Sequence, residues 1–370
     1  MLGYFLILFL TVFTGLNSYQ INRNEKNKKY FVYFIFGMML LFAVLRGYSV
    51  AIDYGNRVEQ MEDYIFKMSF SEMIEYTGEV QDEEYLYTTF IWLVAQLFPA
   101  PWLINGMMDI FVLLTFAWFF CKYSKDVTFS VLMFVAFVFC AEMNITRQYI
   151  AAAFFLIALH LMLKKKPFHA LIPMFAAVLV HVSSVLLFAV YFLYVIGFKI
   201  NRKKLFLMLI VVVGAFFAFE FMIDIFIGFF PQYNYILHTW AVGDEEFSVL
   251  WLLIYSFMFI CMFVSLPSSK AKTDAGELEV SGLIMISFML YAVVNLLQSQ
   301  IWFVSRINAY FIFGYCMVIP EILDRLQLEK KTKTVVTLLL KVGIAAWAIL
   351  MFLQDGHGIL PYEFIWETTL

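Results

Sequence analysis

The sequence predicts an all-α fold: a polytopic integral membrane helix bundle with about twelve transmembrane helices. Three observations carry that expectation. Apolar residue types make up 63% of the 370 residues and charged types 14%, against roughly 45–50% and about 25% in an average soluble protein. Mean hydropathy is +0.84. The apolar residues fall into long runs, and the lysines and arginines cluster between them. A water-soluble globule could not hide this much apolar surface without large exposed patches. The composition therefore excludes a soluble enzyme, a disordered tail and a nucleic-acid-binding protein. The net charge of −3 points to no particular partner, because the charges are segregated along the chain.

Taken in order, apolar runs occupy 2–16, 30–47, 85–98, 101–120, 127–143, 149–163, 168–180, 183–197, 205–221, 248–266, 280–297, 302–320 and 336–353. The first has no basic residue ahead of it and no small-residue cleavage site, so it reads as a retained helix and not as a signal peptide. Positive charge sets the sides of the membrane. Segments 20–29, 121–126, 164–166, 199–204, 267–279 and 321–341 hold 20 of the 25 lysines and arginines and are assigned to the cytoplasm. The 85–98 run is short and ends at Pro99-Ala100-Pro101, so it is expected to be interfacial or re-entrant. Both termini are then extracytoplasmic, and 1–370 reads as a single transmembrane domain. The 168–197 stretch must go out and back within 30 residues, which calls for two short or broken helices. Broken helices are tolerated in a membrane where they line an enclosed or wet cavity.

Two outside loops follow. Residues 48–84 form a long acidic segment in which Val58, Met61, Ile65 and Met68 recur at helical spacing, as in an amphipathic helix on the membrane surface or over a cavity. Residues 222–247 combine Asp224, Tyr233, Tyr235, His238, Trp240 and Asp244–Glu246. Aromatic and acidic groups together suit sugar rings, and Tyr and Trp also mark any membrane interface.

Arg46, Arg147 and Arg306 stand on the side that positive charge avoids, at span ends. Arg147 and Arg306 sit near helix N-termini, whose free N–H groups and dipole favour an anion. Arginine's planar fork suits phosphate oxygens. The residues thus allow a docking site for phosphate or pyrophosphate; lipid-headgroup contact, or a structural pair with Asp53 or Glu142, is the alternative for each arginine. Among the histidines, His181 stands out in AAVLVHVSSV, at the break between two short helices. His160 and His169 lie near cytoplasmic ends, and His238 and His357 in loops. Asp109 is an intramembrane carboxylate, either a relay group or a structural residue beside Asn105. Cys121, Cys140, Cys261 and Cys316 are irregularly spaced. With no CxxC and no His/Cys cluster, no metal or disulfide framework is expected.

The segments LRGYSVAIDY (45–54), NITRQYIAAA (144–153), KPFHALIPMFAAVLVHVSSV (166–185), SRINAYF (305–311) and ILPYEF (359–364) carry a resemblance. In them the chain resembles the EpsG family of Wzy-type bacterial exopolysaccharide polymerases. The Asn-x-x-Arg-Gln run followed by Ala-x-x-x-His-x-Ser is its most specific part. The family usually has a glycine two residues before the aspartate, where this chain has Ala51. Glu83-Glu84-Tyr85 loosely echoes its Glu-Pro-Gly-aromatic segment.

The resemblance implies a GT-C-like membrane glycosyltransferase in the bacterial cytoplasmic membrane. On the outer leaflet such a protein moves a growing glycan from its polyprenyl-pyrophosphate carrier to a sugar hydroxyl of the next lipid-linked repeat unit. Arg147, Arg306 and Arg46 would compensate the leaving pyrophosphate without a metal or other cofactor. His181, Asp53 and Glu84 are the candidate general bases, with Asn144, Gln148, Ser183 and Tyr310 in support. The implied partners are the lipid-linked oligosaccharide, membrane lipid, a chain-length regulator and a flippase. A transporter or flippase for the same lipid would want polar residues through the full depth of the bundle, whereas most cluster at one face here. A membrane acyltransferase would want a histidine paired with a buried nucleophile or base, and His160 has no obvious partner of that kind within helical reach. A glycan ligase would share nearly every residue named.

Overall fold

A computed structural model describes residues 2–79, 84–218, 249–266, 275–298, 306–326, 328–355 and 357–367, with Phe221, Asp224, Ile225 and Gly228. Most of the 222–247 loop lies outside the described residues, as do Asp82 and Glu83. The described chain is helical: α1 (Leu2–Gly15), α2 (Ser18–Arg23), α3 (Glu25–Val44), α4 (Ile52–Asp63), α5 (Phe70–Glu79), α6 (Tyr85–Ala95), α7 (Pro101–Tyr123), α8 (Val127–Phe137), α9 (Phe139–Asn144), α10 (Thr146–Leu163), α11 (Pro167–Val180), α12 (Leu187–Val195), α13 (Arg202–Phe217), α14 (Val249–Ser265), α15 (Ala275–Leu297), α16 (Asn308–Arg325) and α17 (Lys330–Gln354). Among the described residues, α3, α7, α10, Val280–Leu297 of α15, and α17 are long and apolar enough to cross a membrane, and six shorter apolar stretches accompany them. This is the all-helical, multi-pass class that the composition predicts.

Local chemistry sets the breaks. Asn24 caps α3 by accepting from the backbone N–H groups of Lys26 and Asn27, and Asp126 caps α8 through Thr128 and Phe129. Pro101 and Pro167 open α7 and α11 at positions where a missing N–H does no harm. The 85–98 run becomes α6, only 11 residues, or about 16 Å, well short of the hydrocarbon thickness of about 30 Å. The 168–197 stretch is broken as expected. Its first helix, α11, stops at His181, which is extended at φ −154°, ψ 114°, and a 3-10 turn at Val182–Leu186 leads into α12.

The chain folds as two compact units, Met1–Ala189 with Leu328–Leu370, and Val190–Gln327. In the first unit α3 packs on α7, α10 lies between α7 and α11, and α8 meets α1 and α17. Its core is aromatic: Phe36, Phe116 and Phe120 surround Phe134, with ring centroids 4.9, 5.1 and 6.0 Å away. Its outer helices expose Phe9, Phe13, Phe168, Ile172, Leu339 and Val342, as lipid contact requires. The C-terminal segment after α17 binds back onto residues 45–52. Gly47 and Ile365 donate to the carbonyls of Glu363 and Leu45, and Ala51 and Ile52 to those of Gly358 and His357. Burial holds His357 below its ordinary pKa, with Asp355 and Asp53 acting in the opposite sense. This strap fixes the start of α4, whose buried face of Tyr54, Arg57, Val58 and Met61 is the amphipathic stripe expected in 48–84.

In the second unit α15 and α16 approach so closely that a Cβ on Gly314 would lie 2.5 Å from the backbone nitrogen of Phe288. Tyr291 and Tyr315 stack there at 4.7 Å. Arg202 at the start of α13 donates to the carbonyls of Phe263, Val264 and Leu266, the free carbonyls that end α14.

Candidate active site

Three helix ends of the first unit bring their polar residues together. Glu84 stands at the N-cap of α6, where its carbonyl accepts from Thr88 and its carboxylate turns inward. Arg147 and Gln148 lie in the first turn of α10. His181 occupies the extended break after α11. Because α10 and α11 are joined by a short turn at 164–166, the start of one and the end of the other share a side of the unit.

The centre is a shared carboxylate. Glu84 Oε2 accepts from Arg147 Nη1 at 2.7 Å, and Glu84 Oε1 is hydrogen-bonded to His181 Nδ1. The Glu84 side chain is 2% exposed, those of Arg147 and His181 31% and 20%. The anion is therefore hidden, while both positively charged or chargeable partners reach outward. Gln148 Nε2 lies 3.1 Å from His181 Nε2. With an amide donor there and a carboxylate at Nδ1, the neutral imidazole carries its proton on Nδ1 and accepts at Nε2. Tyr87, one turn after Glu84, places its ring centroid 5.5 Å from the Arg147 guanidinium.

Asp53 and Asn144 border this site. The Asn144 side-chain oxygen accepts from the Asp53 backbone N–H at 2.7 Å, and the Asp53 charge reaches Arg147. Ser183 lies on the 3-10 turn after His181. Arg306 and Tyr310 belong to the second unit: Arg306 lies in a short 3-10 turn immediately before α16, and Tyr310 is buried within α16.

Arg46 is placed differently from the expectation of a phosphate-binding cation. Its side chain is fully buried, and Nη1 donates to Asp109 Oδ2 at 2.5 Å and to the Ala43 carbonyl. Its guanidinium lies 4.3 Å from the centroid of Tyr54. Asp109 is thus the structural partner of Arg46, in place of the Asp53 or Glu142 pairing considered above. Sequence reasoning overlooked Arg57, which is buried, donates to the Met143 carbonyl at 3.1 Å and feels the charges of Arg46, Asp109 and Arg147. Its signal was present: Arg57 shares the helical stripe of Tyr54, Val58 and Met61. Among the described residues no three His, Cys, Asp or Glu side chains cluster so as to hold a metal ion.

A family model described as the EpsG family matches residues 29–364. The chain belongs to the EpsG family. The matched span contains Glu84, Arg147 and His181, and also residues 45–52 with the strap up to Phe364. Membership indicates a polysaccharide polymerase-type, multi-pass membrane protein. No curated protein and no solved structure matches the chain.

Proposed function

We propose that this EpsG-family protein polymerises polyprenyl-pyrophosphate-linked oligosaccharide repeat units on the outer leaflet of the bacterial cytoplasmic membrane. The observation that carries this reading is the single buried carboxylate of Glu84 holding an arginine and a histidine side by side. Glycosyl transfer from a pyrophosphate donor needs a cation for the leaving group and a base for the incoming hydroxyl, and these are the two groups so held. Arg147 receives the pyrophosphate, helped by the N-terminus of α10 beneath it. The acceptor hydroxyl takes the place of Gln148 at His181 Nε2. Its oxygen bonds to the anomeric carbon as the bond from that carbon to the pyrophosphate oxygen breaks. The proton passes to Nε2 and the electron pair leaves with the pyrophosphate. Glu84 stabilises the imidazolium so formed. The positive-inside pattern puts the start of α10 on the extracytoplasmic side, where the lipid-linked units are presented.

The test is incubation of the purified protein with one lipid-linked repeat unit, followed by gel analysis of chain length. A ladder of products is expected. Recovery of single units alone, under conditions where the protein stays folded, overturns the reading.

A further inference from the structure

We infer that Glu84 is a positioning residue that couples donor binding to activation of the acceptor. This rests on the proposed roles of Arg147 and His181. Glu84 has two carboxylate oxygens and divides them: Oε2 to Arg147, Oε1 to His181. At 2% exposure little water screens its charge, so what one partner draws from the carboxylate the other loses. In the free site Arg147 holds one of the two carboxylate oxygens. An arriving pyrophosphate supplies Arg147 with a competing anion of higher charge, approached from the exposed side of the guanidinium. The Glu84 carboxylate is then left to His181 alone, oriented on Nδ1 while Nε2 meets the acceptor. Acceptor activation therefore follows donor binding. An acceptor that enters first meets a histidine whose carboxylate is still shared.

The geometry separates this role from two simpler ones. A general base must meet the acceptor hydroxyl, whereas both oxygens of Glu84 face protein groups and its side chain is enclosed. A purely structural tether for Arg147 would strengthen donor binding, whereas here Glu84 competes with the donor for the same guanidinium.

The experiment compares Glu84→Gln and Glu84→Asp with the unaltered full-length protein in detergent. Donor-site affinity is read by titration with farnesyl pyrophosphate, and turnover by chain growth from a lipid-linked repeat unit. Glu84→Gln removes the competing charge, so farnesyl pyrophosphate should bind about tenfold more tightly, the equivalent of one charge-assisted hydrogen bond. Chain growth should slow by about 10²-fold, the scale of general-base assistance. Glu84→Asp, one methylene shorter, keeps the charge but reaches only one partner, and should fall between the two in both measurements. It also serves as the folded comparison if the glutamine variant denatures. Opposite movement of affinity and turnover supports the coupling. Weaker or unchanged pyrophosphate binding in both variants, while the unaltered protein still polymerises and Arg147→Ala loses the probe, overturns the coupling and leaves the polymerase reading intact. Failure of the unaltered protein to bind the probe or extend chains overturns the polymerase reading itself.

Discussion

The first unit holds two arginine–carboxylate pairs of nearly the same length and opposite character. Arg46–Asp109 closes at 2.5 Å with both side chains 0% exposed, and Arg147–Glu84 at 2.7 Å with the arginine 31% exposed. The chemistry of the partners is identical, so the difference is one of surroundings. Arg46 joins the end of α3 to the middle of α7, beneath the strap that bonds Gly47 to Glu363. Its Nε and Nη2, and Asp109 Oδ1, are buried without a hydrogen-bond partner among the described residues. Such a pair contributes to the fold only while both members are present. Arg147 sits at a helix end with a second recipient, His181, on the same carboxylate. A pair that can exchange partners at an accessible edge can serve a ligand. A pair sealed inside cannot.

Breaking the sealed pair should give the largest effect. Removing one partner of a buried ion pair strands the other, at about 3–5 kcal/mol, a large share of the roughly 5–15 kcal/mol that holds a typical protein folded. Arg46→Ala and Asp109→Ala should therefore lower yield and melting temperature sharply, measured in detergent by thermal unfolding. Replacing both members with apolar residues, Arg46→Met with Asp109→Leu, should recover much of that loss because neither member is left without the other. If the double variant is no better than the singles, the pair is more than a clasp and the contrast with Arg147 fails.

Next in size is the exchangeable pair. Arg147→Ala should lower the melting temperature clearly less than Arg46→Ala does, since Glu84 keeps His181 and Arg147 stands at an accessible edge. It should cut chain growth by about 10²–10³-fold, the scale of losing one preorganised group that stabilises developing charge. A fall in stability as large as that of Arg46→Ala would show that the two pairs are equivalent after all. His181→Ala should slow chain growth by at least about 10²-fold, and unaltered rates would make it a packing residue at the helix break.

Much of this contrast was legible in the sequence, and the limits have physical causes. Composition and run spacing specified a multi-pass helical protein because lipid imposes the same requirement on every spanning segment. His181 was legible because a polar His-x-Ser-Ser interrupts apolar sequence, and Arg147 because positive charge is rare on that side. Their meeting point was not. Glu84 lies 63 residues from Arg147 and 97 from His181, and only tertiary packing brings the three together. Arg46 was misread for a related reason. An arginine at a span end looks the same whether its guanidinium turns to solvent or to Asp109, 63 residues away. Arg57 stands in a segment that reads as an acidic outside loop, yet its place on the apolar stripe of α4 marks it as buried.

The smallest effect tests the link between the two regions. Residues 45–52 run from Arg46 to the head of α4, where Asp53 borders the candidate site, and they turn at Ala51. There the backbone takes φ 81°, ψ 130°, a conformation that glycine adopts freely and an alanine side chain resists. Holding a non-glycine residue at positive φ costs about 1–3 kcal/mol, while glycine gives back about 0.4–1 kcal/mol through the freedom of the unfolded chain. Ala51→Gly should therefore stabilise the protein by about 0.5–1 kcal/mol, and Ala51→Val, β-branched at the same angle, should destabilise it by more than about 1 kcal/mol. If the strap does transmit position from the sealed pair to the site, the valine variant will also slow chain growth with Arg46–Asp109 and Arg147–Glu84 both intact. Unaltered growth in a destabilised Ala51→Val protein would show that the two regions are joined only by the fold they share.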